Sequence, residues 1–539
     1  MFRFRKIRTD PHGFPKGPEG KGGSPRFGFR SQYSTECVCL HPIFHGQTVK
    51  FYPFIFYISV FAKLTAADLL TSDKGCTIIL TETSVYERAV MTHDLTSGSP
   101  LRLILSFTVP LVLSNLFQQC FSLVDTVIVG RCIGVDALAA VGSTGSLNFL
   151  VIGLVTGCCA GMAIPIAQRF GAGDTENMRR YVYNAAYVCI VLAVLLTAVT
   201  ALFTRTFLTW MRTPEDILDD ACTYLVTIFY GIGGIFLYQM SAGVLRALGD
   251  SRTPALFLVL ACLINAVLDL LLVIRLQMGV FGAALATVIS QVLSGLACLA
   301  RIRRTLHILR PESNERALSV RHIRTLLGSG IPMGLQYTLT ATGSVVLQSA
   351  VNALGSAAVA AVTAAEKVSV FFYCVLESLG SSMATYVGQN LGARRFDRIR
   401  VGVLQSAGLG ASYCLLAWCI LHFAGGALIR LFVESSETAV IDLAAVWLSW
   451  NSAFFLFLMP IFLYRFSLQG LGYSALAMFA GVAEMIARIL TAFLLVPALG
   501  FSGVCLSDPV AWLAADLFLL PAFYSRLRRR EAQYTAGTF

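Results

Sequence analysis

GVDALAAV at 134–141 returns as GSAAVAAV at 355–362, and the match continues without a gap. Met162-Ala163, Gln168 and Gly171-Ala172 reappear as Met383-Ala384, Gln389 and Gly392-Ala393, every pair 221 residues apart. Beyond that block, Leu248-Gly249-Asp250-Ser251 is echoed by Leu471-Gly472-Tyr473-Ser474, and Gly279 and Gly282 by Gly500 and Gly503. The chain therefore says much the same thing twice. A duplicated membrane unit facing its copy across a cleft is a recurrent transporter plan, with the substrate site at the junction.

That the unit is a membrane unit follows from composition. Charged residues are 13% of 539 and the mean hydropathy is +0.71, against about a quarter charged in soluble domains. The net charge of +11 does not point to nucleic acid, because Arg and Lys sit at the ends of apolar runs and not in an aromatic-rich basic stripe. Of the fifteen cysteines, Cys120, Cys158, Cys159, Cys189, Cys262, Cys298, Cys414 and Cys505 lie inside apolar runs, where cysteine behaves as a small hydrophobe. Cys37 and Cys39 lack the spacing and partners of a zinc site. Neither a disulfide framework nor a metal cluster is expected.

Residues 1–90 differ in kind from the rest. Their longest apolar run, Phe51 to Ala62, is too short to cross a bilayer as a helix, and no signal-peptide pattern stands at the start. They read as a poorly ordered extension or a start-site artefact, with Met91 as the functional start. From Leu101 onward, twelve apolar spans reach the length of about twenty residues that a membrane helix needs. They lie near 103–129, 140–168, 182–204, 222–245, 255–275, 281–302, 323–350, 357–389, 401–424, 439–464, 474–496 and 502–525. The predicted fold is an all-α polytopic membrane protein: an N-lobe of six spans at 91–302, a basic linker at 303–322, a C-lobe of six at 323–525 and a tail at 526–539. Six spans separate the copies, so the halves run parallel. Alternate loops are basic, carrying Arg169, Arg179, Arg180, Arg246, Arg252, Arg394, Arg395 and Arg398, and the opposite set is neutral or acidic. By the positive-inside rule both termini and the linker are cytoplasmic, in a cell (inner or plasma) membrane.

An ionisable side chain at mid-bilayer costs at least ~2.5–3.5 kcal/mol, so each needs a reason. In the first half the candidates are Asp125 in span one, Asn265 and Asp269 one turn apart in span five, and Thr287 in span six. Asp125, Asp269 and Thr287 fall at similar depth, roughly 8–10 Å below the outer interface at 1.5 Å per residue, with Asn265 one turn deeper. Burial and the neighbouring carboxylate bring an Asp toward titration at working pH. The residues alone leave open whether these groups carry a proton or cation or simply lock the lobe. In the second half, Glu484 and Arg488 have the i,i+4 spacing of a structural pair, Glu366 beside Lys367 reads either way, and Gln336, Glu377 and Asp508 are the candidate lining of a substrate cavity. Pro110 and Pro332 occupy nearly matching places and predict kinks. An enzyme is not expected: only His422 of seven histidines lies in a span, and there is neither a GxxxxGK[ST] loop nor HExxH. No cofactor is implied, and an ion gradient or the solute's own gradient must drive transport.

These pieces resemble the multidrug and toxic compound extrusion (MATE) family of the MOP flippase superfamily. The matching stretches are DLTSGSPLRLILSFTVPLVLSNLFQQ (94–119), LVDTVIVGRCIGVDALAAVG (123–142), AQRFGAGD (167–174), LRALGDSRTP (245–254), INAVLDLLLV (264–273) and GQNLGA (388–393). The resemblance implies two six-helix lobes around a V-shaped cavity and antiport of H⁺ or Na⁺ against organic cations and other amphipathic compounds, by a monomer. The DinF-like branch carries an Asp on helix one, an Asn and an Asp on helix five, a Thr on helix six and a bending proline on helix one. Those positions read Asp125, Asn265, Asp269, Thr287 and Pro110 here, and Asp125, Asn265 and Asp269 are also where Na⁺ would sit. The NorM-type branch has acids on helices seven and ten; this chain has Gln336 and no carboxylate from Trp447 to Tyr464. The alternative within the superfamily is a flippase of lipid-linked precursors or polysaccharides, which calls for a cavity lined by basic groups.

Overall fold

Backbone amides have no water to bond in hydrocarbon, so an apolar run of this length satisfies them internally as a helix. The structure, a computed structural model, describes residues 94–211, 213–312, 314–434 and 436–536. The extension at 1–90 and the start at Met91 lie outside them. The N-lobe consists of α1 (Pro100–Cys132), α2 (Gly145–Gly171, preceded by a short helix Val135–Ser143), α3 (Thr175–Trp210), α4 (Glu215–Tyr230 with Ile232–Ala247), α5 (Arg252–Asp269, continued by a π turn Leu270–Arg275) and α6 (Gly279–Thr305). The C-lobe repeats the order: α7 (Val320–Asn352), α8 (Ser356–Gly392), α9 (Phe396–Ile429), α10 (Thr438–Ala453 with Phe455–Gly470), α11 (Ser474–Leu490, with a π turn Thr491–Leu495 and a last turn Val496–Leu499) and α12 (Phe501–Thr535). Even the π turns recur at matching places.

Among the described residues nine of these helices are long and apolar enough to span a membrane alone, and the bent pairs of α4 and α10 raise the number to eleven. The twelfth, α7, is 33 residues long, about 50 Å at 1.5 Å per residue, but carries more polar side chains because it lies in the seam between lobes. The outer surface suits lipid: Leu202, Leu404 and Phe423 are 76%, 74% and 81% exposed. The repeated motif opens with glycine for a backbone reason, since Gly134 and Gly355 begin their helices at φ 138° and 100°, where a side chain is strained.

α1 continues as a helix through Pro110, and α7 through Pro332. Bends of 45° and 52° break α4 and α10. At the α4 break a Cβ on Gly231 would lie 2.4 Å from the Val288 side chain of α6, so glycine is what lets α6 pass.

The basic loops all lie at one end, and there the lobes close on each other. α2 packs along α7, and the first half of α1 packs into the opposite lobe: Leu95, Ile104, Phe107 and Leu111 belong to the C-lobe core, whereas Leu326 of α7 belongs to the N-lobe core. Two hydrogen bonds related by the repeat latch this end. Gln168 Nε2 donates to the carbonyl of Gly470 at 2.9 Å, and Gln389 Nε2 donates to that of Ala247 at 2.8 Å. Thr108 Oγ1 donates to Ser382 Oγ at 2.8 Å and Asn115 Nδ2 to Ser378 Oγ at 3.1 Å. Contact reaches mid-depth, where Phe149 meets Tyr337 edge-on. One turn outward of Asn115, Gln119 of α1 meets Cys374 of α8 across the same seam.

The latch depends on bare backbone. A Cβ on Gly171 would sit 2.0 Å from the Gln389 carbonyl oxygen, and one on Gly392 would sit 1.9 Å from that of Gln168. Each of Gly171→Ala and Gly392→Ala is expected to weaken closure of the basic end by about 1–3 kcal/mol, the usual cost of overpacking. A several-fold lower disulfide yield from a Thr108→Cys/Ser382→Cys pair would register it; an unchanged yield would contradict the close approach.

The linker is clamped to α3. Arg179 donates to both carboxylate oxygens of Glu315 at 2.7 Å, the Glu312 amide donates to Glu315 at 2.8 Å, and Asn184 Oδ1 accepts from the Ser319 amide at 2.9 Å. The Arg179 guanidinium holds the Glu315 carboxyl below its ordinary value of 4.5. A carboxyl depressed by folding stabilises the fold above its unfolded value and loses that contribution as pH falls through the folded one. Glu315→Gln is therefore expected to lower stability at neutral pH by about 2 kcal/mol, as for a hydrogen bond to a charged group. The loss should fade below pH 4.5; thermal unfolding of both proteins across pH 3–7 checks it, and a pH-independent difference would refute it.

Candidate ion-coupling and substrate site

In the N-lobe the fold brings two carboxyls together. Asp125 projects from the half of α1 beyond the latch and is half-buried; Asp269 ends the regular part of α5 and is 1% exposed. The two side chains lie within hydrogen-bonding range of each other. Both are acceptors when ionised, and neither oxygen of Asp269 nor Oδ1 of Asp125 finds a donor among the described residues. Two bare carboxylates at this separation repel, and a proton shared between them would satisfy both. The π turn that starts at Leu270 places this carboxyl where the helical hydrogen-bond ladder changes register, a device frequent at functional sites.

The other candidates stand less directly at the pair. Asn265 is one turn back on α5, its Nδ2 buried without an acceptor. Thr287 Oγ1 donates to the Ala283 carbonyl of its own helix at 3.3 Å. The buried Tyr224 of α4, which sequence reasoning missed, lies within electrostatic reach of both Asp125 and Asp269. Its only sequence signal was a tyrosine in an apolar run. Pro110 stands fifteen residues before Asp125 on the same helix.

In the C-lobe the structure sorts the candidates differently. Asp508 accepts from Arg488 Nε at 3.1 Å, Arg488 also faces Glu484 at 3.7 Å, and Glu484 is ion-paired with Arg465. Asp508 thus ends a buried chain of alternating charge. Arg465 and the buried Asp516, whose Oδ1 has no partner, were missed by a sequence reading that inspected this stretch for carboxylates on α10 alone. Gln336 is 7% exposed and accepts from Gln469 at 2.9 Å. Glu377 meets the Tyr337 hydroxyl, and Tyr337 is where the lobes touch at mid-seam, so of the three candidates Glu377 lies nearest the junction.

Between the lobes, next to the latch, is a hollow of about 40 Å³ lined by Ala163, Arg246, Met333, Ala384, Thr385 and Phe466, among others. Arg246 was expected in a loop. It lies in the last turn of α4, half-buried against this hollow, and forms no hydrogen bond or ion pair with the described residues. Among the described residues no group of three or more His, Cys, Asp or Glu is placed to hold a metal ion, so a cation here would depend on paired carboxylates and amide oxygens.

A family model described as MatE matches residues 110–271 and 332–494, one copy on each half of the repeat. The chain belongs to the MatE family. This MatE protein is 31% identical over 366 residues to the probable multidrug resistance protein YoeA of Bacillus subtilis, covering 66% of the chain and 78% of the relative. It is 25% identical over 380 residues to an FAD transporter of Shewanella oneidensis, covering 68% and 80%. Its fold matches the outward-facing conformation of a multidrug resistance MATE family transporter of the MOP superfamily, with a TM-score of 0.77 and 21% identity over 82% of this chain and 99% of that one. The MatE protein is a multi-pass membrane transporter of twelve helices in two lobes, and not an enzyme.

Proposed function

We propose that this chain is a secondary antiporter of the cell membrane that exports small amphipathic solutes, mainly organic cations, in exchange for protons. The facing, donor-less carboxyls of Asp125 and Asp269 carry the reading. With the basic end cytoplasmic, the latch closes the inner side and the far end of the seam faces outward. A proton entering from outside completes the Asp125–Asp269 pair and cancels repulsion between α1 and α5, and its release inside restores the charge. Asn265 and Thr287 orient the carboxyls. Glu377 at mid-seam offers a counter-charge to a cationic solute. Pro110 leaves α1 one backbone hydrogen bond short, so the helix can bend as the pair titrates.

The multidrug resistance proteins among its relatives accord with this reading. The test is uptake of a fluorescent organic cation into proteoliposomes under a pH gradient and a sodium gradient imposed separately. Acceleration by the pH gradient alone is expected; response to sodium alone would transfer the Asp125, Asn265 and Asp269 oxygens to Na⁺. One observation favours a second reading. The unpaired Arg246 at the inter-lobe hollow suits an anionic group, as on a phosphate-bearing solute or lipid-linked precursor, and one relative is an FAD transporter. Competition by an anionic nucleotide in the same assay separates the two.

A further inference from the structure

At the basic end, away from the seam, α1 and α5 leave a groove of about 740 Å³ whose lining includes Ser99, Arg102, Leu105, Val109, Pro110 and Arg252. The α1 residues fall in two adjacent rows, 101/105/109 and 102/106/110, and form one helical stripe, turned away from Ile104, Phe107, Thr108 and Leu111, which face the opposite lobe. Val109 is 50% exposed. In a chain that spans a bilayer this stripe meets acyl chains rather than water. Arg102 and Arg252, both exposed, stand at the terminal turns of their helices and form no ion pair or hydrogen bond with the described residues. Two unpaired guanidiniums at the membrane interface above an apolar trough match one chemistry, a phosphate diester with a hydrocarbon tail. The volume lies in the range of specific ligand pockets, about 300–1,000 Å³, and basic pockets between membrane helices on the cytoplasmic side are where anionic headgroups bind.

We propose that this groove is a binding site for an anionic phospholipid of the adjoining leaflet. The phosphate sits between Arg102 and Arg252, planar donors suited to its oxygens, and an acyl chain runs along Leu105 and Val109 to Pro110. A net negative headgroup is selected because the groove presents two cations and no acid. The site is spatially separate from the ion-coupling carboxyls, since Asp125 stands fifteen residues further along α1 than Pro110.

Native mass spectrometry of the purified full chain, titrated with phosphatidylglycerol or phosphatidylcholine of matched tails, tests this. Phosphatidylglycerol is expected to bind more tightly. Arg102→Gln/Arg252→Gln should weaken it roughly thirty-fold, from the usual attraction of two basic side chains for an anionic leaflet, whereas Arg102→Lys/Arg252→Lys should stay within a few-fold. Leu105→Trp, which fills the trough and leaves both charges, should also weaken binding. Equal binding of the two lipids, or unchanged phosphatidylglycerol binding in the double glutamine variant, would overturn the proposal. So would displacement of phosphatidylglycerol by inorganic phosphate or glycerol phosphate at similar concentration, which would make the site one for a soluble anion.

Discussion

Asp125→Asn is expected to leave a folded protein in which a pH gradient no longer drives efflux, a loss of at least about a hundred-fold in coupled transport. Asparagine keeps the size of the side chain and supplies the donor that Asp269 lacks, so the contact between α1 and α5 survives while its capacity to take up and release a proton is gone. Stability should therefore hold or rise, as when a repelling buried pair is neutralised. Asp269→Asn should behave alike, and the double variant should be no worse than either single one, because the two carboxyls act as one titrating unit. Proteoliposome efflux beside thermal unfolding in detergent checks both halves. Coupled efflux within two-fold of wild type in a folded Asp125→Asn protein would remove the pair from the mechanism.

The second large effect is structural. Arg465→Met takes one cation from the buried run Arg465, Glu484, Arg488, Asp508. It leaves two carboxylates sharing one arginine, with Asp516 losing a neighbouring charge as well. Removing one member of a buried ion pair costs about 3–5 kcal/mol, mostly the desolvation of what stays behind. The protein should melt markedly earlier. Arg465→Met/Glu484→Leu removes opposite charges together and should recover most of the loss, since well-packed apolar residues often replace a buried pair at little cost. If the single variant melts with the wild type, the network is not holding the C-lobe together. If the double variant is as poor as the single one, what matters is packing rather than charge.

Much of the architecture was legible because its determinants are periodic and local. Twenty-residue apolar runs, a repeat at constant spacing and basic loops at every second turn follow from the bilayer itself, and the twelve spans predicted from 103–525 coincide with the helices to within a few residues at most ends. Asp125, Asn265 and Asp269 were legible for the same reason, since a charge or amide in an apolar run stands out. What escaped was pairing across helices. Nothing in the local sequence says that Asp508 meets Arg488 or that Gln389 reaches Ala247, and a lone Arg465 in an apolar run gives no sign of its partner one helix away. The breaks within α4 and α10 also escaped, since at Gly231 what decides is the close passage of Val288, a fact of packing and not of the chain's own preference.

The exchange of helix beginnings between the lobes bears on how the protein is made. Ile104, Phe107 and Leu111 leave the ribosome well before the surface that receives them, which is built largely from α8 and α9, nearly three hundred residues later. The start of the first helix therefore waits, incompletely packed, until most of the polypeptide has been inserted.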